Sequence, residues 1–116
     1  MTRAERERQG RRAEIMAAWF LRLKGWRMLA QRVKTPRGEV DLVVRRGRMV
    51  AFVEVKWRSD ANALALAIDE NRLRRVAAAS QLLAPRFVRA GDSQRIDVLL
   101  LAPGHFPRHI VNAWMS

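Results

Sequence analysis

The stretch "EVDLVVRRGRMVAFVEVKW", residues 39–57, constrains the fold more than any other part of this chain. Two runs rich in valine flank "RRGR", with Gly47 supplying the turn, so the segment reads as a β-hairpin. A two-residue turn sets Arg45 opposite Arg48 or, centred one residue later, Arg46 opposite Met49. Side chains alternate along a strand, and both registers sort the hairpin into the same two faces. One face carries Val40, Leu42, Val44, Ala51, Val53, Val55 and Trp57 and no polar residue, so it is core, packed against a helix. The other face carries Glu39, Asp41, Glu54 and Lys56.

Directly opposed residues of such a pair have Cβ atoms about 5 Å apart. Carboxylates that close repel one another unless a cation lies between them. A solvated ion pair between Glu54 and Lys56 is the plain reading of this face. A divalent-metal site is the sharper one. Mg²⁺ takes oxygen ligands at about 2.1 Å and binds through one or two carboxylates together with waters and phosphate. Asp41 and Glu54 are the candidate ligands for Mg²⁺ or Mn²⁺, with the Val55 carbonyl as a third. Lys56 would position an attacking water or offset charge on a reacting phosphate.

Charge points the same way. The 116 residues hold 23 Lys+Arg against 11 Asp+Glu, a net of +12, which implies a polyanionic partner such as nucleic acid rather than a membrane surface. With 49% hydrophobic residues the chain suits one globular domain. Cysteine is absent, which excludes disulfides and thiolate zinc sites and fits a cytoplasmic setting. No apolar run approaches the roughly 20 residues of a membrane span. "IMAAWFLRL" is interrupted by Arg22 and preceded by acids, so it does not read as a targeting segment.

The remaining elements follow from periodicity and punctuation. Residues 1–12 read as a basic arm or frayed helix start, and residues 13–116 as the domain proper. Ile15, Met16, Trp19, Phe20 and Leu23 recur at helical spacing and predict the buried stripe of a first helix, which Gly25 ends. "WRMLAQRV" reads as a strand and "KTPRG" as a loop. A second helix follows, capped by Asp69, with Leu73, Val76, Ala77, Ser80, Leu83 and Ala84 inward and Pro85 as its stop. "RIDVLLLA" and "RHIVNAW" are the last strands. The order is α-β-β-β-α-β-β, a small mixed α/β domain.

"GEVDLVVR" followed by "FVEVKWR" resembles the YraN-type bacterial family, which has the restriction-endonuclease-like fold, and is more distantly similar to archaeal Holliday-junction resolvases. "AEIMAAWFL", "RIDVLLL" and "IVNAW" extend the resemblance over most of the chain. It implies a mixed central sheet flanked by helices and a PD-(D/E)xK-type nuclease site. Asp41 matches the motif's Asp, Glu54 its second acid and Lys56 its lysine, while Glu14 matches a helical glutamate that serves as an extra metal or water ligand. Glu39 belongs to the family's Gly-Glu-x-Asp. Ala13 stands where the family has glycine, and Arg72 is the nearest cation to a lysine it often carries early in the second helix. On a helical wheel Glu14 lies with Ala17, Ala18 and Leu21, small enough neighbours for it to overlook the hairpin. In a first turn it also complements the helix dipole.

Arg11, Arg12, Arg58, Arg72 and Arg75 flank the site and are the candidate phosphate contacts. His105 and His109 read as surface residues, Asp97 as a structural hydrogen-bonding acid, and Trp19 and Trp57 as core. Two functions compete. One is a Mg²⁺- or Mn²⁺-dependent DNA endonuclease leaving a 5′-phosphate, acting on branched or flapped DNA in repair or recombination and, by the resolvase likeness, as a homodimer. The other is a non-catalytic nucleic-acid-binding module of the same fold. RNA presents the same phosphates and is the alternative substrate.

Overall fold

In the computed structural model of the chain, residues 2–58 and 70–114 are described. Helix α1 spans Arg3–Leu23. Thr2 and Glu5 form a capping box: the Glu5 N–H donates to the Thr2 hydroxyl at 3.1 Å, and the Thr2 N–H to the Glu5 carboxylate at 3.3 Å. The basic stretch that begins the chain is therefore the first half of α1. At the other end Gly25 takes a φ of +93°, with Gly25 N–H donating to the Arg22 carbonyl and Trp26 N–H to the Leu21 carbonyl. That paired closure is the Schellman motif, which needs a left-handed residue where Gly25 stands.

Strands β1 (Arg27–Thr35), β2 (Gly38–Arg46) and β3 (Met49–Trp57) form an antiparallel meander. Helix α2 (Glu70–Phe87) returns the chain so that β4 (Ser93–Leu101) pairs parallel with β3. The three-residue β5 (Arg108–Ile110) closes the sheet in the order β1-β2-β3-β4-β5. The domain is the expected α/β fold with a mixed sheet flanked by helices. Leu42, Val44, Ala51, Val53, Leu99 and Leu101 pack with Ala13, Ala17 and Leu21 of α1. Val43, Val50, Phe52, Val98 and Leu100 pack with Leu73, Val76, Ala79 and Leu83 of α2. Alternate strand residues thus serve alternate helices, and the helices cover opposite faces.

The hairpin adopts the later-centred register, with Arg46 opposite Met49 and Leu42 opposite Val53. Val40 departs from the expected face: it packs in the α2 cluster rather than beside Leu42 and Val44. The larger correction concerns α1. Of its bulky stripe only Phe20 packs against the core, for Trp19 is 59% and Leu23 85% exposed, and Ile15 and Met16 are exposed as well. Ala13, Ala17, Ala18 and Leu21 are buried instead. Leucines, valines and Trp26 from the sheet side already fill that layer, leaving room for methyl groups rather than for Ile, Met and Trp.

Smaller corrections have local causes. Pro85 lies inside α2, which runs on to Phe87. Only the proline's own N–H bond is missing there, and the Val88 N–H still reaches the Ala84 carbonyl at 2.8 Å. Asp69, expected as the cap, lies outside the described residues. His109 is not a surface residue. Its Nε2 meets Asp97 at 2.8 Å and its Nδ1 meets Lys24 at 3.1 Å, with only 6% of the side chain exposed. The Lys24 ammonium can only donate, so the ring proton belongs on Nε2, facing Asp97. Asp97 is the structural acid expected. Burial alone would raise its pKa, but hydrogen bonds from His109 and the Asn112 N–H, with Arg95 alongside, outweigh it and hold the carboxyl below its ordinary value. These bonds pin the last segment to β4.

The alanine face of α1 makes a stability prediction. Replacing Ala17 with Leu should cost about 1–3 kcal/mol through overpacking, whereas Trp19→Ser should stay within about 0.5 kcal/mol. Urea midpoints of the two variants decide it, and the opposite order would mean that the bulky stripe is packed.

Candidate active site

The two ladders that flank β2 both falter at Asp41. On the β3 side the paired register ends at Leu42 and Val53, and the Asp41 carboxylate then accepts the Val55 N–H at 2.8 Å, doing the work of a ladder carbonyl. On the β1 side Arg32 falls between the pairs Gln31–Leu42 and Val33–Val40, opposite Asp41 by count, and has a φ of +49°. Asp41 is therefore held by one strong bond at the place where the strands part.

Glu54 is next to it and almost wholly buried, at 2% exposure. It accepts from the Arg72 Nε of α2 and lies 3.6 Å from the Lys56 ammonium. Gly38 is what lets Arg72 reach it. A Cβ at that glycine would stand 2.9 Å from the Arg75 carbonyl oxygen, so any other residue would push α2 away from the start of β2. Glu14 projects from the small-residue side of α1 and pairs with the Arg32 Nε at 2.5 Å. Glu54 and Glu14 thus each carry an arginine.

The electrostatics follow from this crowding. Burial, and then the neighbouring Glu54 charge, push the Asp41 carboxyl up to about 7 against the opposing Val55 hydrogen bond. Burial, and then the Arg72 charge, lower the Lys56 ammonium. Burial also raises Glu14 in spite of Arg32, and the charges of Asp41 and Glu39 add to the rise.

A cleft of about 580 Å³ opens over the cluster, lined among others by Arg11, Glu14, Arg32, Glu39, Asp41 and Arg72. A second, of about 240 Å³, is lined by Glu39, Asp41, Glu54, Arg72 and Arg75. Asp41, Glu54, Val55 and Lys56 are thus together, with Glu14 and Glu39 at the rim and Arg11, Arg72 and Arg75 on the walls. Arg12 is exposed and lines neither space. Arg58 is turned to backbone, its guanidinium donating to the Trp57 carbonyl at 2.9 Å. The hairpin face is also deeper than its sequence suggests, because Glu54 and Lys56 are buried.

Among the described residues no three His, Cys, Asp or Glu side chains converge closely enough to hold a metal ion, so Glu14 and Glu39 do not close up with the central pair. Asp41 and Glu54 with the Val55 carbonyl nevertheless suit Mg²⁺ or Mn²⁺, since such ions need only one or two carboxylates and keep several waters. Burial first and the Glu54 charge second raise Asp41 even with Arg72 in place, so a cation between the two carboxylates would act against the second of these causes.

The sequence profile described as uncharacterised protein family UPF0102 matches residues 13–101. The chain belongs to the UPF0102 family. It is 65% identical to a UPF0102 protein of Sphingopyxis alaskensis over 98% of each chain. It is 61% identical to one of Erythrobacter litoralis, again over 98% of each. A UPF0102 protein of Parvibaculum lavamentivorans is 48% identical over 92% of this chain and 81% of its own. In three dimensions the chain is similar to Archaeoglobus fulgidus Hjc, a Holliday junction resolvase from an archaeal hyperthermophile. That match has a TM-score of 0.60 at 18% identity, over 86% of this chain and 73% of the resolvase. At that identity the likeness is one of fold.

Sequence reasoning missed two residues of this UPF0102 site. Gly38 carried a readable signal, a glycine directly before the acidic strand. Arg32 carried none, because its approach to Glu14 depends on a backbone conformation that a strand pattern does not predict.

The raised Asp41 pKa gives a signed prediction. Between its ordinary value of 3.8 and about 7 the folded chain holds a proton that the unfolded chain has released. The metal-free protein should therefore lose stability as pH climbs through that window and level off above it. Asn at position 41 stays neutral and can still accept from Val55. Thermal melts of Asp41→Asn should show a flatter fall and a higher midpoint than wild type at about pH 8.

Proposed function

We propose that the chain is a divalent-cation-dependent phosphodiesterase that cuts DNA. The observation that carries this reading is the pair of half-buried Asp41 and buried Glu54, with Lys56 beside Glu54, at a cleft that Arg11, Arg32 and Arg72 help to line. The resolvase-like fold and the net charge of +12 support it.

Asp41, Glu54 and the Val55 carbonyl would hold Mg²⁺ or Mn²⁺, which when bound supplies Lewis-acid charge to the phosphoryl oxygens. The chain's own residues do the rest. Arg11, Arg72 and Arg75 seat the phosphates along the cleft, with Arg12 and Arg58 at its flanks. Lys56, whose pKa is lowered by burial, donates to the attacking water and offsets charge as it develops. Water adds to phosphorus in line, the bond to the 3′ oxygen breaks, and the products are a 5′-phosphate and a 3′-hydroxyl. Glu14 and Glu39, at the rim, bear on water or a second ion. Branched or flapped DNA is the substrate favoured by the resolvase likeness, and a four-way junction with two symmetric cuts calls for two copies of the chain.

A non-cleaving DNA- or RNA-binding module of the same fold is the second reading. The pairing of Glu54 with Arg72 and of Glu14 with Arg32 favours it, since both acids are already countered without a metal.

Incubation with linear, flapped and four-way DNA, in Mg²⁺, Mn²⁺ or EDTA, tests the first reading. Metal-dependent product bearing a 5′-phosphate is expected from wild type. None is expected from Asp41→Asn, and Lys56→Ala should give a rate about 100- to 1000-fold lower, the usual scale for loss of one preorganised donor. Retention of DNA in a gel with no metal-dependent product from wild type would select the binding module.

A further inference from the structure

Arg32 is the one residue of the site held in a backbone conformation its side chain disfavours. Among the described non-glycine residues only Arg32 and Asn112 have positive φ, and asparagine tolerates that region whereas arginine does so rarely. Strain of this kind lasts only where the surroundings enforce it, and it clusters at working sites. Here it turns a guanidinium out of β1 into the cleft and onto Glu14. Arg72 does the same from α2, onto Glu54. Both side chains are about half exposed at 45% and 53%, while the acids they cover are at 15% and 3%. Each arginine therefore has room to leave its carboxylate without unpacking anything.

We propose that Arg32 and Arg72 are exchangeable cations: they neutralise Glu14 and Glu54 while the site holds no metal, and move to a substrate phosphodiester when a divalent ion at Asp41 and Glu54 supplies the positive charge of the site. This rests on the metal-dependent reading above and adds a regulation to it. Both arginines meet their acids through Nε, and a guanidinium whose charge is shared with a carboxylate gives a phosphate less than a fork committed to it alone. Metal entry frees the two forks, and phosphate capture removes the competitors from the acids. Metal and DNA must then strengthen each other's binding by the same factor, because coupling between two ligands is reciprocal. The arrangement also protects the chain from its own charge, for a phosphate approaching bare carboxylates would be repelled.

The test measures Mn²⁺ binding by calorimetry, with and without a phosphorothioate DNA duplex that resists cleavage, on the full chain and on three variants. Arg72→Gln keeps an N–H for Glu54 without the charge. Arg32→Gly removes the side chain and relieves the backbone, so it should melt above wild type. Arg32→Lys keeps a charge on a different stem. In the absence of DNA, Arg72→Gln and Arg32→Gly should bind Mn²⁺ about fivefold more tightly than wild type, the lower range of coupling between sites. Their gain in Mn²⁺ affinity on adding DNA should shrink, and the salt dependence of their DNA binding should become shallower by about 0.9 for each phosphate no longer neutralised. Arg32→Lys should fall between. Wild type that binds Mn²⁺ while these variants bind it equally or more weakly would overturn the exchange and leave the metal site standing. An absence of Mn²⁺ binding in every protein would overturn both.

Discussion

Asp41 and Glu54 are two acids brought together, one half-buried and the other almost wholly shut from water, and most of what surrounds them follows from that burden. Charge in such a place is stable only if countered and hydrogen-bonded. One Asp41 oxygen is met by the Val55 N–H, and Glu54 is met by Arg72 and Lys56. Arg72 arrives only because α2 crosses β2 at a glycine, so the packing of that helix and the neutralisation of the site are one arrangement. The same crowding accounts for the direction in which Asp41 and Lys56 titrate, each displaced first by burial and then by a neighbour. It also explains why the strands separate here. An aspartate whose carboxylate substitutes for a ladder carbonyl cannot also lie in regular pairing with β3.

How far the sequence could be read depends on which physical signal each element carries. The hairpin was legible because its apolar residues alternate with period two, and a slip of one residue would have buried Asp41, Glu54 and Lys56 among valines. The acidic cluster came with it. The burial of α1 was not legible by the same logic. Its largest apolar residues mark the solvent side, because close approach to a sheet already filled with leucine, valine and tryptophan selects small residues rather than large ones. Glu14 could be placed only by reading its alanine neighbours as a contact surface. Arg32 and the burial of His109 were out of reach, since each depends on partners distant in the chain: Glu14 for the first, Asp97 and Lys24 for the second.

The likeness to a resolvase at 18% identity is what this partition leads one to find. A fold of this kind asks only for apolar alternation, a crossover helix and a compact face on the first helix, and many sequences meet those demands. Within this chain, the local chemistry of the site has far less freedom. Gly38 cannot gain a side chain without displacing α2, and the buried Glu54 carboxylate stands against Arg72 and Lys56. Fold and site are under different constraints, so agreement in fold says little about which acids and bases a given chain presents.

The overall charge and the local charge of this molecule oppose each other, and the opposition shapes how a polyanion could be received. A net of +12 draws phosphates from a distance, limited by screening at about 8–10 Å in ordinary salt. Inside that range the partner meets Asp41, Glu54, Glu14 and Glu39, which would push a phosphate back out. The walls of the cleft combine the two. Arg11, Arg32 and Arg72 line it together with Glu7, Glu14, Glu39 and Asp41, so an approaching strand would meet guanidinium and carboxylate side by side. On the proposed reading, a further cation among the carboxylates would let the phosphate settle deeper. On that reading, attraction at long range, selection at short range and dependence on a small cation would all arise from where a few charged side chains sit around one parted pair of strands.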